Sequence, residues 1–458
     1  MEIFCGIDWA EAHHDIAVVD EQGRVLAGQR ISDDLAGYLA LSELFSRVAG
    51  QHLPADGPVG LDIAIETDRG LLVAALRAAG HRIWSINPKA VDRYRDRFTS
   101  WRAKSDAGDA VLLASILRTD RHAHRPLPAD SDLAVAIGVL ARAHQDATWR
   151  RRGDLNRLRS LLREYFPAAL TAFSDLTTRT ALLILATTPT ATAAAGLTED
   201  DLVEVMRQAG RGTQRARAAA LRQVFTAPAW RQPPAVEQAM GQAAAAIVAS
   251  VQAANTAIAR LEDAMAAHLS RHPDAGILTS MPGLGLILAT RELGEFGDDP
   301  NRFTGPAARR AYATTAPVTR ASGKRRVVIR RGGNRRLADA CRLWAFATLT
   351  ASPGARAHYR RRRAAGDGHE AALRHLANKL VGQLHHCLHH RTIYLEHLAW
   401  PAEHTPPEPD TPPISAPQPH APAISGIVSS GCVNQNWPRS DGLIWPRRSW
   451  GLRGCLCA

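Results

Sequence analysis

The sequence predicts an α/β portion, a mixed sheet with helices packed on it, followed by segments that are almost wholly helical. Three observations carry this reading. Three strand-type runs and then strand–helix repeats fill residues 1–125. Residues 126–271 turn Ala-rich with little strand signal, and 272–400 become basic and helical at both ends. A fourth stretch, 401–458, resembles none of these.

The first two runs are 3–8 and 15–20; the second meets 25–31 across Glu21-Gln22-Gly23-Arg24, a glycine-containing hairpin turn. An amphipathic helix is expected near 33–48, a buried strand at 59–66 and a helix near 69–79. Gly80 fits the position just past that helix, and 81–87 form another strand before Pro88. A helix over 131–166, roughly 50 Å long at 1.5 Å per residue, has Leu155, Leu158, Leu161 and Leu162 at helical spacing. A second helix over 236–270 is expected to return antiparallel to it, as a coiled-coil segment for dimerisation or spacing. In the tail, nine of the 22 residues from 401 to 422 are proline, which precludes helix and favours disordered chain. Trp437, Trp445 and Trp450 follow without periodicity, and a read-through extension fits them as well as a functional tail.

Charge narrows the class of function. Lys and Arg number 56 against 44 Asp and Glu, a net +12 with a pI near 10.0. Between Arg302 and Arg363 there are 17 basic residues and one acid, Asp339, so the charge is concentrated. A polyanionic partner is expected, nucleic acid first. No run of 18 apolar residues occurs and Met1 opens no basic-then-apolar leader, so neither spanning nor secretion is expected. Cys5, Cys341, Cys387, Cys432, Cys455 and Cys457 are too scattered for a disulfide framework. A cytoplasmic protein acting on nucleic acid is the expectation.

Four carboxylates stand out. Asp8 closes the first strand, Glu66 closes the central strand, and Asp106 and Asp109 share one face of a helix running to about residue 119. A carboxylate at a buried strand end is costly unless it meets cations. Several from separate segments make an oxygen-rich site for Mg²⁺ or Mn²⁺, which can serve phosphodiester displacement. Each acid alone fits a strand end or a helix cap equally well. Asp62, about 13 Å back along the strand, is a rival for Glu66, and Asp15 and Asp68 are weaker ones.

The basic zone holds a hydroxyl. Ser322 precedes Gly323 among Arg320, Lys324, Arg325 and Arg326, where cations could hold a phosphate beside an attacking oxygen. A phosphate-contacting or structural serine fits the same residues. Met281-Pro282-Gly283-Leu284-Gly285 resembles the hairpin of helix-hairpin-helix modules, with Gly283 and Gly285 letting backbone N–H groups approach phosphate; a packing corner is the alternative. Arg330, Arg331, Arg335 and Arg336 surround a Gly-Gly turn, a density that tracks nucleic-acid backbone. His385, His386, His389 and His390 lack a second ligand pair nearby, so a solvated helix face is favoured over zinc.

Together CGIDWA, IAIETDRG, KSDAGDA, MPGLG, the stretch RFTGPAARRAYATTAPVTRASGKRR and RRGGNRR resemble the DEDD transposase family of bacterial insertion sequences, the bridge-RNA-guided recombinases. The resemblance covers residues 1–400 in order and leaves out the tail. It implies a RuvC-like domain of the RNase H fold at 1–125, a coiled-coil segment at 126–271 and a C-terminal transposase domain at 272–400. It implies Mg²⁺ on Asp8, Glu66, Asp106 and Asp109, and Ser322 as a nucleophile that forms a phosphoserine link to DNA. It further implies donor and target DNA, a structured guide RNA, homodimers pairing into tetramers, and a nucleoid-associated place of action. Two other classes compete: a RuvC-like junction endonuclease that uses water, and a non-catalytic nucleic-acid-binding relic.

Overall fold

A computed structural model describes residues 2–52, 60–98, 105–210, 214–322, 325–330 and 333–401, with the backbone path alone at 96–98 and 318–330. The tail from 402, Val59, Gly323, Lys324 and Arg331 lie outside the described residues.

The sheet begins with β1 (Ile3–Trp9), β2 (His13–Asp20) and β3 (Val25–Ser32), followed by helix α1 (Leu35–His52). Asp20 fixes the second turn: its buried carboxylate accepts from the backbone N–H of Gln22 and Arg24 and from Arg24 Nε at 2.7 Å, while Gly23 takes φ 85°. Then come β4 (Asp62–Ile65), α2 (Leu71–Ala78), β5 (Arg82–Ser85), α3 (Pro88–Phe98) and α4 (Asp106–Asp120). The spatial order is β3-β2-β1-β4-β5. β1 pairs antiparallel with β2 and parallel with β4. That order, with helices on both faces, is the expected RNase H-like α/β architecture. Pro88, at the first helical position, starts α3 rather than merely ending the strand before it.

Alternation along the strands divides the core. Cys5, Ile7, Ile63 and Ile65 pack with α1 and α2, whereas Phe4, Val19, Ala64 and Trp84 pack with α3 and α4. Gly6 lies on the second face, where an added Cβ would come within 2.0 Å of the Ala110 carbonyl oxygen. Only glycine lets α4 sit this close to β1.

α5 (Asp132–Tyr165) and α11 (Pro234–Leu269) are the long helices. Their contacts, His144–Glu262 at 3.1 Å, Arg151–Asn255 at 2.9 Å and Asp154–Ser250 at 2.8 Å, run in opposite directions and make the pair antiparallel. Between them α6 (Pro167–Ala172), α7 (Arg179–Thr187), α8 (Ala191–Ala195), α9 (Glu199–Gln208) and α10 (Arg215–Thr226) close a separate apolar cluster around Phe166, Phe173 and Phe225. α11 is long and apolar enough to cross a membrane by length and composition alone. Here it lies along α5 through side-chain hydrogen bonds.

The last core gathers α12 (Ala275–Ser280), α13 (Leu286–Phe296), α14 (Pro306–Tyr312), α15 (Arg335–Ala351), α16 (Pro353–Ala364), α17 (His369–His390) and α18 (Glu396–Ala399) around the buried Trp344. Between α14 and α15 runs a hairpin of β6 (Pro317–Ser322) and β7 (Arg325–Arg330). The helix α5 crosses α13 at Gly138 and Gly294, where a Cβ on Gly294 would stand 2.7 Å from the Gly138 Cα.

Candidate functional site

Register brings the strand-end acids together. β1 and β4 pair through Ile7 and Ile65, so the next residues in line are Asp8 and Glu66, both half-buried on the α4 face. On the other side of β1, Asp15 is the direct partner of Asp8. The weaker rival therefore stands beside Asp8 through a cross-strand pairing that its place in the sequence does not reveal. Asp62 lies at the other end of β4 and is committed elsewhere: Arg82 at 2.7 Å, Arg121 at 2.9 Å and the Trp84 indole N–H at 3.1 Å all meet its buried carboxylate.

The close seat of α4 on Gly6 delivers the other two acids. Ser105 caps this helix by accepting from the Gly108 N–H, and Asp106 and Asp109 occupy its first turn. Asp109 is buried and accepts from Arg95 at 2.8 Å. Asp106 is exposed and meets Arg30 of β3 at 3.2 Å; the same guanidinium binds Asp15, its cross-strand partner on β2, at 2.8 Å. His13 approaches Asp106 at 3.8 Å and Asp15 at 4.0 Å. Both guanidinium groups are held protonated more firmly than usual, Arg30 by Asp15 first and Arg95 by Asp109 first.

The donor set fits a hard divalent cation. Among the described residues, His13, Asp15 and Asp106 offer ligand atoms all within 4.8 Å of one another. Carboxylate oxygens of this kind suit Mg²⁺ or Mn²⁺. The histidine cluster of α17 forms no such group among the described residues; His385 and His389 stack with ring centroids 6.0 Å apart. The free thiols Cys5, Cys341 and Cys387 are buried.

The basic zone is organised by α15. Asn334 caps that helix, its side-chain oxygen accepting from the N–H groups of Arg336 and Leu337. Its amide nitrogen donates to Glu295 at 2.5 Å, and Glu295 also pairs with Arg142 of α5 at 2.8 Å. The hydrogen bond and charge of Glu295 hold the Arg142 guanidinium protonated more firmly than usual, against the opposing effect of burial and with Asp68 adding in smaller part. Arg336 pairs with Asp146 at 2.8 Å and lies over the Trp149 ring, whereas Arg335 is exposed. Ser322 ends β6, in register with Arg325; Arg320 pairs with Val327, Arg326 with Ala321 and Arg330 with Pro317 along the same hairpin. Thr314, just before β6, takes φ 58°, a strained backbone for a β-branched residue.

The glycine pair of the 281–285 corner divides in role. Gly283, at φ 72°, lies against α15, where a Cβ would meet the Thr348 N at 2.5 Å. The neighbouring Pro282 carbonyl accepts from Trp344 Nε1 and Thr348 Oγ1, which is packing-corner chemistry. Gly285 is exposed at the start of α13.

Comparison with known proteins adds sequence to this geometry. Residues 5–167 match a transposase family named for its DEDD residues and the element IS110, and residues 275–360 match the transposase IS116/IS110/IS902 family. A Streptomyces coelicolor mini-circle protein, named as a transposase for IS117, is 50% identical over 409 residues, 87% of this chain and 97% of that protein. The 42 kDa protein of insertion element IS900 from Mycobacterium paratuberculosis is 30% identical over 86% of this chain and 97% of its own length. The 43.6 kDa protein of insertion element IS110 from Streptomyces coelicolor is 29% identical over 86% and 95% respectively.

Proposed function

The chain belongs to the DEDD transposases of the IS116/IS110/IS902 family, and from that premise we propose that it cuts and rejoins DNA strands with Ser322 as nucleophile and a Mg²⁺- or Mn²⁺-holding set of Asp8, Glu66, Asp106 and Asp109. The observation that supports the metal set is the seat of α4 on Gly6: the helix whose first turn carries Asp106 and Asp109 packs against the strand that carries Asp8, and the register of β1 with β4 runs on to Glu66. A bound divalent ion there supplies charge neutralisation for phosphoryl transfer.

The protein side of the reaction is simple in outline. The Ser322 oxygen bonds to phosphorus as the bond from phosphorus to one deoxyribose oxygen breaks, and that oxygen leaves with a proton. A hydroxyl of another strand then attacks the phosphoserine and releases Ser322. Arg320, Lys324, Arg325, Arg326, Arg330, Arg331, Arg335 and Arg336 hold the phosphates, and Gly285 offers its backbone from the α13 start; Gly283 serves by fixing that corner. A structured RNA selects both DNA sites, and homodimers pair into tetramers through the 126–271 segment, acting on chromosomal DNA in the cytoplasm.

Labelled DNA on a denaturing gel tests the reading. Wild type should give a DNA–protein adduct that survives denaturation, and Ser322→Ala should give neither adduct nor joined product while still binding DNA. Cleavage that leaves free ends in both proteins would make water the nucleophile and the protein a junction-type endonuclease.

A further inference from the structure

A cleft of about 850 Å³ opens between the middle of α5 and the start of α15, beside the base of the Ser322 hairpin. Its α5 wall carries Trp149, Arg152, Gly153 and Asn156, and its α15 wall carries Arg335. Arg152 and Arg335 are exposed, and neither forms an ion pair or hydrogen bond among the described residues. Arg342 and Asp339, also at the rim, largely answer each other and Glu370. Two unmatched positive charges therefore dominate the cleft.

Trp149 is 38% exposed, with the Arg336 guanidinium 5.3 Å from its ring centroid. Arg336 is anchored by Asp146, so the indole is braced rather than loose. A large aromatic ring held at the mouth of a cationic cleft is poorly explained by packing, because its exposed surface buries nothing. Gly153 gives a separate hint. Glycine inside a helix costs about 1 kcal/mol relative to alanine, yet a Cβ at Gly153 would meet nothing within 4 Å. No neighbour among the described residues requires the glycine. Space kept clear on a helix, next to a braced aromatic ring and free guanidinium groups, suits close approach of another molecule's backbone.

We infer that this cleft binds a single-stranded nucleic-acid segment, with an unpaired base stacked on Trp149 and its flanking phosphates on Arg152 and Arg335. The inference rests on the transposase reading for the class of ligand, since stacking plus guanidinium–phosphate contact is how single strands are held without sequence readout. Both DNA unpaired during strand exchange and a loop of RNA present this chemistry.

The test uses the full chain and fluorescence anisotropy with two probes, a thymidine DNA oligomer and its uridine RNA counterpart. Trp149→Ala should weaken binding by about 5- to 100-fold, the range of one lost base stack, and Trp149→Phe should recover most of it. Gly153→Glu has open space and a helix-favouring residue, so it should fold normally and still lose about tenfold by placing a carboxylate in the cleft. Arg152→Ala should make the dependence on salt shallower by about one unit of the log–log slope. Loss on the DNA probe alone, the RNA probe alone, or both supports the site and identifies its source. Wild-type affinity for both probes in Trp149→Ala and Gly153→Glu would overturn it. That result would leave the Ser322 adduct unaffected, whereas absence of an adduct in wild type would fault the functional reading and not this cleft.

Discussion

Asp8 and Asp15 stand directly opposite each other across β1 and β2, so the acid one residue before the end of the first strand has a second carboxylate as its direct cross-strand partner. Like charges at such a pair are unfavourable unless cations lie between or beside them. Arg30 meets that need from the Asp15 side. Asp8→Asn and Asp109→Asn should abolish strand joining, with DNA binding kept. Asp15→Asn should bind Mn²⁺ several-fold more weakly by titration calorimetry. Equal Mn²⁺ affinity in wild type, Asp8→Asn and Asp15→Asn would remove the metal from this sheet end.

Asp62 provides the contrast. Its carboxylate is buried under two arginines and an indole N–H at the other end of β4. Asp62→Asn should lower the melting temperature by several degrees, as loss of a buried charge partner does, yet the folded fraction should still join DNA. An inactive protein of unchanged melting temperature would place Asp62 in the chemistry instead.

Gly6→Val should be worse than an ordinary core substitution. The new side chain would start 2.0 Å from the Ala110 carbonyl oxygen and 2.5 Å from the Ala114 nitrogen, both backbone atoms. Displacing α4 moves Asp106 and Asp109 away from Asp8. Soluble yield and melting temperature should both fall, and Mn²⁺ affinity should fall in whatever protein remains folded. Wild-type values for all three would show that α4 does not depend on this contact.

Glu292 makes stability depend on pH. It is fully buried in α13 and, among the described residues, accepts only the Cys341 thiol, at 3.6 Å. Burial first, and Glu295 in smaller part, push its carboxyl up to about 8, with Cys341 and Arg309 opposing. An unfolded glutamate titrates near 4.3. The folded state thus holds an extra proton between those values, and stability falls as pH rises from about 4.5 to 8, then levels off. The melting temperature of Glu292→Gln should gain on wild type across that window by at least about 2 °C. Parallel curves for the two proteins from pH 5 to 9 would contradict it.

Trp400 ties the last described helix to the carboxyl-terminal core. That indole is 2% exposed, packs against Gly354 and donates to the Tyr394 hydroxyl at 2.9 Å. A chain ending at His404 should fold and join DNA like the full one, whereas Trp400→Ala should cost about 3–5 kcal/mol. A large loss of yield on truncation at His404 would assign a structural role to the proline-rich residues.

What the sequence disclosed follows from the range of the forces involved. The three leading strands, the Asp20–Arg24 turn and the two long helices are set by local periodicity and turn residues, and they appear near their expected places. Asp8, Glu66, Asp106 and Asp109 could be proposed together from sequence because strand ends and a helix start are local features. The pairing of Asp15 with Asp8 was not, because it depends on register across two strands. The β6–β7 hairpin escaped notice because its alternating Val318, Val327 and Ile329 are submerged in basic residues. Trp149 and Arg152 carried no signal on a long helix rich in arginine, since only the fold sets α15 opposite them.

The crossing of α5 and α13 is made by Gly138 and Gly294, main chain against main chain. One glycine belongs to the first family-matched segment and the other to the second. Side chains lock the same joint: Arg142 of α5 meets Glu295 of α13 at 2.8 Å, and Arg291 of α13 meets His144 of α5 at 3.2 Å. A side chain at either position would push the two matched segments apart at this crossing, so the pair of glycines sets how closely they approach.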